Sequence, residues 1–393
     1  MRKTVMTLIA ALAVFCLGAS GAERPDSLRG THYIGADISP AWLLPTNSFF
    51  RGDRYRDPMS SHFSMHLKYG YRFSPASRLG RLHPHAVQGV GVSWNTFGNA
   101  YEVGRPVAIY VFQTSRLAGL GERLSLDYEW NFGASFGWKK YDPQRNPDNT
   151  VVGSSVNAYI NLGLLLNWQF AQHWNLRAGV GMTHFSNGNT SLPNAGVNSV
   201  GLRIGASRSF GEAAAEPVGR MASTDVGPQR RVSWDVTVFG AWRKKYRKVG
   251  DKAQIAPGSF AVAGMNVNPL YRVSNWFKAG LSLDARFDES ANIWDHVADG
   301  NEETGGDLRF HRPPFREQFS LGLSARAEFT MPIFSINVGI GKNFICQGAD
   351  TDKFYQDIAL KTALSRRLFL YVGYQLYNFS KPDHLMLGIG VRL

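Results

Sequence analysis

Residues 123–139 read RLSLDYEWNFGASFGWK, and this stretch decides the fold class. Its even positions, from Leu124 to Trp138, are apolar or aromatic. Its odd positions, from Arg123 to Lys139, are charged, polar or glycine. Because successive side chains of a β-strand point to opposite faces, a two-residue period held over the whole stretch predicts a strand and no helix.

The same two-residue period recurs later in the chain. The windows are residues 156–168, 232–238, 368–376 and 385–393. A soluble β-sandwich also alternates, but long strands with Trp and Tyr near their ends favour an all-β, antiparallel transmembrane β-barrel of the outer membrane. Counting the windows predicts about 16 strands in total, within a range of roughly 12–16.

Short and long connectors alternate between the windows, as they do in outer-membrane barrels. The short ones include AQHW (171–174), RVSN (272–275), TMPI (330–333) and LSRR (364–367), and the long ones are residues 45–60, 141–154 and 289–314. This pattern places short turns at one end of the barrel and long loops at the other.

The first residues, MRKTVMTLIAALAVFCLGASGAERPD, predict a secretory signal peptide over residues 1–22. A basic start precedes a short apolar run and then small residues, which is typical of exported proteins. The apolar run is too short to cross a membrane as a helix. Cys16 raises the idea of a lipid anchor, but the bulky Phe15 before it argues against such processing.

Residues 211–230, GEAAAEPVGRMASTDVGPQR, interrupt the strand pattern with a long, polar, small-residue-rich segment. The segment is either a linker between an eight-stranded half and a second β-rich half, or a long periplasmic turn in one larger barrel. It separates a β-barrel half, residues 23–210, from a second β-rich half, residues 231–393. We favour a single large barrel. The apolar terminal strand, which ends at Leu393, resembles the signal that the barrel assembly machinery reads.

The formal net charge of +13 bears on the partners of the protein. In an exported protein this charge argues against nucleic acid and favours an anionic membrane surface that carries phosphates. The basic segments RGDRYRD (51–57) and RKKYRK (243–248) could meet such phosphates, or could be solvated loops. The oligomeric state stays open.

Cysteine and histidine spacing points to no metal and no cofactor. Cys346 is the lone cysteine after signal removal, so no intramolecular disulfide is expected and we assign it no role. The ten histidines show no tight metal-ligand cluster. No phosphate loop, zinc spacing, EF-hand or GxSxG elbow is evident.

One Asn- and Gly-rich stretch, MTHFSNGNTSLPNAGVNSVGLRIG (182–205), contains a candidate site. His184 and Ser186 continue the apolar row of their strand, and Asn198 shares a row with apolar residues of the returning strand. Unpaired polar groups that face lipid are costly, so their presence there needs a reason. A His beside a Ser can take the proton of the hydroxyl, although most His-x-Ser pairs at strand ends are interfacial or loop pairs.

The longer pattern THFSNGNTSLPNAGVN resembles the signature of the PagL family, the outer-membrane lipid A 3-O-deacylases. That signature has a His-x-Ser-Asn core, a Pro-Asn-x-Gly element and an acidic residue around one outward hairpin. The resemblance is concentrated in residues 182–205, extends loosely over residues 31–210, and is not evident in residues 230–393.

The resemblance implies roles for individual residues. Ser186 would be the nucleophile and His184 its general base. Asn187 would stabilise the oxyanion, with a backbone N–H near Gly188 assisting. The residues that match the Pro-Asn-x-Gly element, Asn194 and Gly196, would set the shape of the site.

Asn198 departs from the family pattern, because the family has an acid where this chain has an amide. An Asn carbonyl can accept the imidazole N–H but lacks the charge that stabilises imidazolium, a change that costs a serine protease about four orders of magnitude. Asp288 or Glu289, from another loop, could supply a carboxylate, although solvated loop acids are the simpler interpretation.

Two hypotheses follow for a protein of the Gram-negative outer membrane. In the first, the chain is a serine esterase that removes an acyl chain from lipid A of lipopolysaccharide, needs no cofactor and contacts outer-membrane lipid. In the second, it is a non-catalytic pore, transporter or structural lipid-binding barrel. The strand number and Asn198 favour the second hypothesis, and the lipid-facing His184 and Ser186 favour the first.

Overall fold

A computed structural model describes residues 30–52, 57–211, 231–249, 252–298, 309–379 and 381–393 of the chain. The predicted signal peptide and nearly all of the predicted linker lie outside the described residues. Within the described part of the chain, no helix is long and apolar enough to span a membrane. The described residues form two closed antiparallel β-barrels of eight strands each.

The first barrel is an up-and-down sheet in which each strand pairs with its sequence neighbours. Its strands are β1 (Thr31–Leu43), β2 (Ser61–Arg72), β3 (Val87–Thr96), β4 (Gly104–Gly119), β5 (Leu124–Trp138), β6 (Val156–Ala171), β7 (Trp174–Ser186) and β8 (Val197–Phe210). β8 closes the barrel by pairing with β1, where Ala36 lies opposite Ala206. Two short helices, α1 (Ser48–Arg51) and α2 (Arg78–Leu82), lie in its connections.

The second barrel has the same topology with one inserted ribbon. Its strands are β9 (Val232–Arg243), β12 (Phe260–Arg272), β13 (Phe277–Asp288), β14 (Phe319–Thr330), β15 (Phe334–Ile345), β16 (Phe354–Ala363), β17 (Leu368–Tyr377) and β18 (Lys381–Arg392), and the ribbon is β10 (Tyr246–Val249) with β11 (Lys252–Ile255). β18 closes on β9, where Ile389 lies opposite Val238. A 3-10 helix (Ile293–His296) and α3 (Phe315–Gln318) lie between β13 and β14.

The expectation of one large barrel is wrong, although the number of barrel strands agrees with the prediction. After β8 has paired with β1, no strand edge of the first sheet is left open, so β9 begins a new sheet. Side-chain alternation specifies which face a residue occupies but not which strand closes the sheet. The sequence pattern therefore could not separate one barrel from two.

The outward faces of the strands are apolar, as the alternation predicted. On β6, Leu162, Leu164 and Leu166 are 51%, 48% and 47% exposed, whereas the inward-facing Asn161 and Leu165 are buried. The predicted fold class, an antiparallel outer-membrane type of β-barrel, is confirmed. The outward row of leucines on β6 belongs to the surface that lipid would cover.

Trp138 corrects the alternation at one position. It was placed in the outward row, but its side chain is buried inside the barrel, and its indole N–H donates to Ser135 Oγ at 2.9 Å. Gly137 has a φ of +92°, and the pairing of β4 with β5 is irregular at this end. Glycine tolerates this backbone angle, which changes the phase of the strand by one residue.

A network of buried ion pairs fills the middle of the first barrel. Asp37 and Glu129 each contact the same three cations, Lys68, Arg177 and Arg203. The Arg203–Glu129 pair is the shortest contact of the two arginines at 2.7 Å. The five charges lie on strands distributed around the barrel, so the network ties the wall together from inside.

The second barrel has a similar network, again with two acids and three cations. Asp235 and Glu328 are the two acids, and Lys278, Lys361 and Arg392 are the three cations. Lys361 contacts Asp235 at 2.9 Å and Glu328 at 2.6 Å. All five charged residues of each network lie on strands of one barrel.

Glu129→Gln should destabilise the protein strongly, because Asp37 alone would then face three buried cations. We expect the free energy of unfolding to fall by about 3–5 kcal/mol. Urea unfolding in lipid–detergent micelles, followed by tryptophan fluorescence, measures the change. Glu122→Gln, at an exposed position, is the matched control. Equal midpoints for the two variants would contradict a structural role for the network.

Candidate functional site

Three side chains on the outward face of β7 and β8 form a chain of hydrogen bonds. His184 lies opposite Asn198 in the register of the two strands. Its Nδ1 is 2.6 Å from Asn198 Oδ1, and its Nε2 is 2.9 Å from Ser186 Oγ. All three residues are partly exposed. The structure therefore brings together Ser186, His184 and Asn198, the three residues that the sequence singled out as a nucleophile, a base and its partner.

The Asn198 contact determines which ring nitrogen carries the proton. A carbonyl oxygen can only accept a hydrogen bond, so Nδ1 of His184 must donate to Asn198 Oδ1. In a neutral imidazole the other nitrogen, Nε2, is then an acceptor. It accepts a hydrogen bond from the hydroxyl group of Ser186, which is the arrangement that general-base catalysis requires.

The strand geometry explains why these side chains meet. His184 and Ser186 are two residues apart on β7 and point to the same side of the sheet. They extend the outward row of Val180 and Met182, which are 52% and 49% exposed. Ser186 is the last residue of β7, so the pair lies at the end of the barrel that carries the long loops.

Phe185, between the two polar residues, anchors β7 from the inside. Its ring packs against Trp138 at 5.0 Å, Tyr159 at 5.3 Å and Phe97 at 5.9 Å between ring centroids. These rings belong to a buried apolar cluster at the long-loop end of the first barrel, together with Phe50 of α1. Dense packing there holds the backbone that carries His184 and Ser186.

The loop after Ser186 is folded by its own asparagine side chains. The backbone N–H of Asn187 donates to Asn194 Oδ1 at 3.1 Å. The side-chain amide of Asn187 donates to the carbonyl oxygen of Ser191 at 2.9 Å. Asn187 is buried, whereas Gly188, next to it, has a φ of +63°. These two hydrogen bonds of Asn187, to Asn194 and to Ser191, stabilise the conformation of the loop.

Gly196 lies directly against the imidazole. A Cβ at this position would be 3.2 Å from His184 Cε1 and 3.2 Å from the carbonyl oxygen of Phe185. Its φ is +74°, which disfavours any residue with a side chain. A glycine here lets the returning chain pass close to the ring without displacing it.

A neighbouring loop, residues 139–155, braces the site loop. Ser191 Oγ donates to the carbonyl oxygen of Gly153 at 2.8 Å. Within the bracing loop, Asn149 donates to the carbonyl oxygens of Glu102 and Lys139 and accepts from the N–H of Val152 at 3.0 Å. Sequence reasoning missed both Ser191 and Asn149. Asn149 could have been identified as a turn residue, because an Asn side chain often accepts hydrogen bonds from backbone N–H groups two or three residues later.

The two acids considered as substitutes for the missing carboxylate have other partners. Asp288 contacts Arg243 at 3.2 Å and accepts from the N–H of Ser290 at 2.8 Å. Glu289 accepts from the N–H of Ala261 at 3.1 Å. Both therefore serve the second barrel. Among the residues that the structure describes, no group of three or more His, Cys, Asp or Glu side chains could hold a metal ion.

Comparison with known proteins identifies the family. The model "Lipid A 3-O-deacylase (PagL)" matches residues 65–207, and the model "Acyloxyacyl hydrolase, C-terminal domain" matches residues 232–393. The chain belongs to the PagL family. The expectation that the resemblance stops before residue 230 is wrong, because the second barrel matches a PagL model of its own although no His-x-Ser-Asn motif is evident there.

Two solved structures are similar to part of this chain. The outer membrane enzyme PagL is 15% identical, with a TM-score of 0.30, over 44% of this chain and 97% of its own. Neisserial surface protein A is 13% identical, with a TM-score of 0.31, over 46% of this chain and 99% of its own. No curated protein matches the chain.

Gly196→Ala should disturb the site more than the fold. The strained backbone angle should lower the free energy of unfolding by about 1–2 kcal/mol. The added methyl group should push the His184 ring and slow the labelling of Ser186 by a fluorophosphonate. Gly98→Ala is the matched control, because Gly98 has a φ of +78° in another loop. Equal labelling rates in the two variants would show that Gly196 does not position the imidazole.

Proposed function

We propose that the chain is an outer-membrane serine esterase that hydrolyses an acyl ester of lipid A, by 3-O-deacylation. The observation that carries this proposal is the hydrogen-bond chain from Asn198 through His184 to Ser186 on the outward face of the first barrel. Membership of the PagL family supports the substrate class. The proposal places the protein in the outer membrane, in contact with lipopolysaccharide of the outer leaflet.

The chemistry follows from the protonation of the imidazole. His184 Nε2 takes the hydroxyl proton as Ser186 Oγ attacks the ester carbonyl. When the tetrahedral intermediate collapses, the sugar oxygen leaves with that proton and the acyl group stays on Ser186. Water, activated by the same nitrogen, then attacks the acyl-enzyme, releases a fatty acid and restores the hydroxyl.

The position of the site fits a substrate that stays in the membrane. Ser186 and His184 continue the row of Val180 and Met182, so an ester carbonyl at the outer rim would have its acyl chain alongside these apolar side chains. A small soluble ester has no long acyl chain that could contact this apolar row. The outward orientation therefore favours a lipid as the substrate.

The oxyanion would form beside the loop that begins at Asn187. We assign its stabilisation to the backbone N–H of Gly188 and to the side-chain amide of Asn187, which also donates to the carbonyl oxygen of Ser191. Asn194 holds the backbone of Asn187 in place. Fixed donors of this kind stabilise the charge that develops on the carbonyl oxygen.

The interior of the first barrel argues against the alternative of a pore. Phe50, Phe97 and Tyr110 are at most 1% exposed and fill the long-loop end of the barrel. The ion-pair network of Asp37 and Glu129 occupies its middle. A continuous aqueous channel through the described part of this barrel would have to displace both layers.

Ser186→Ala should abolish the activity, because no nucleophile would remain at the end of the hydrogen-bond chain. Mass spectrometry of lipid A from cells that express wild type should show loss of one acyl chain, and cells with the variant should keep it. Ser155→Ala, an exposed serine before β6, should behave as wild type. If wild type and Ser186→Ala give the same acyl pattern, and purified wild type releases no fatty acid, the esterase is excluded.

Asn198→Asp should raise kcat, because a carboxylate of the same shape would stabilise the imidazolium that forms when His184 takes the proton. Loss of this charge costs a serine protease about four orders of magnitude, so we expect a gain of at least about 10-fold. Asn198→Ala should lower kcat because Nδ1 then loses its acceptor. Fatty-acid release from purified variants measures both effects. A kcat for Asn198→Asp at or below that of wild type would show that the site works without this charge.

A further inference from the structure

We propose that His62, inside the first barrel, is a positioning residue for Ser186, His184 and Asn198. The proposal rests on the esterase function given above. His62 is the second residue of β2 and is 2% exposed. It touches neither substrate nor reacting atoms, so its effect would pass through the wall of the barrel.

The hydrogen bonds of His62 connect β2 to β8. Its Nδ1 is 2.7 Å from Ser199 Oγ, and its Nε2 is 3.2 Å from Asn95 Oδ1. The Asn95 amide nitrogen donates to the carbonyl oxygen of Pro106 at 3.2 Å, which orients its oxygen toward the imidazole. Nε2 therefore donates a hydrogen bond to Asn95 Oδ1, and Nδ1 accepts a hydrogen bond from the hydroxyl group of Ser199.

Ser199 is the residue after Asn198, on the opposite face of β8. The His62–Ser199 hydrogen bond thus restrains, from inside, the same stretch of backbone that aims Asn198 Oδ1 at His184 from outside. The orientation of His184 depends on the position of Asn198 Oδ1. A misplacement of about 1 Å in a catalytic group can lower the rate roughly 100-fold.

The ring of His62 also contacts the other strand of the site. It stacks on Phe97 with centroids 4.7 Å apart and meets Phe185 edge-on at 6.1 Å. Phe185 lies between His184 and Ser186 on β7. One buried imidazole therefore touches the sequence neighbours of all three residues of the outward hydrogen-bond chain.

The inner group, Ser199, His62 and Asn95, has the same residue types as the outer one but cannot be a second catalytic site. Its members are 2%, 2% and 0% exposed, so no lipid ester reaches the Ser199 hydroxyl. Because it is buried, the inner group cannot catalyse ester cleavage. Its hydrogen bonds can still restrain the strands of the barrel wall.

His66 provides a matched control on the same strand. It is also buried inside the barrel, and its ring nitrogens bond to Ser64 Oγ and Tyr110 Oη, each at 3.0 Å. These partners lie on β2 and β4, not on the hairpin of β7 and β8. His66→Phe and His62→Phe therefore remove similar polar contacts at different distances from the site.

The test compares kcat and KM for fatty-acid release by purified full-length wild type, His62→Phe, His62→Gln and His66→Phe. We expect His62→Phe to lower kcat by about 10-fold or more with KM within about 2-fold, because orientation and not binding is lost. His62→Gln, which keeps one acceptor and one donor, should recover most of kcat. His66→Phe should leave kcat within about 2-fold of wild type.

A double variant separates positioning from general packing. If His62 acts through Asn198, His62→Phe should have little further effect on kcat in an Asn198→Ala background, since coupled residues are not additive. Thermal unfolding of each variant in micelles shows whether it is folded. The positioning role is overturned if His62→Phe retains wild-type kcat, or if His62→Phe and His66→Phe lose kcat equally.

Fluorophosphonate labelling of Ser186 distinguishes failure of this inference from failure of the proposed function. If wild type is labelled but releases no fatty acid from lipid A, the lipid A assignment fails, and the labelling rates of the His62 and His66 variants decide the positioning role. If wild type is neither labelled nor active, the esterase and the positioning role both fail.

Discussion

Backbone hydrogen bonding is the constraint on which the rest of this structure depends. A strand that faces lipid has no water to satisfy its N–H and C=O groups, so each sheet must close on itself. Both sheets do so after eight strands, with β8 on β1 and β18 on β9. Closure divides every strand into an apolar outward face and an inward face free to be polar. The buried ion pairs of Asp37 and Glu129 follow from that division, and so does the anomaly of a polar hydrogen-bond chain on the outward face.

In the hairpin of β7 and β8, side chains on both faces of the barrel wall contribute to the geometry of the candidate site. Outside, His184 joins Ser186 to Asn198. Inside, the rings around Phe185 hold the same backbone against a packed aromatic cluster. The side chains of the candidate site lie on the outer face of the wall, so their geometry depends on the residues that pack against the inner face of the same strands. The long loops contribute in the same way, through Ser191 and Asn149.

The outward side chains could be predicted because strand alternation is a local property. It placed His184, Ser186 and Asn198 in the outward rows, where the structure finds them partly exposed. The same rule was wrong at Trp138, where the positive φ of Gly137 shifts the phase. The family pattern pointed to Asn187 and Asn194, but only the structure shows that their contacts fold the loop.

The amino-acid sequence by itself determined the fold class, the face on which each strand residue lies, and the residue types at the candidate site, because all three depend on neighbours along the chain. Tertiary structure alone decided that the strands form two barrels, that Asn149 and Ser191 brace the site loop, and that His62 lies behind it. These features depend on which distant strands and loops meet, and side-chain alternation carries no information about partners. The position of the proton on His184 likewise depends on tertiary structure, because it follows from the 2.6 Å contact between Nδ1 and Asn198 Oδ1.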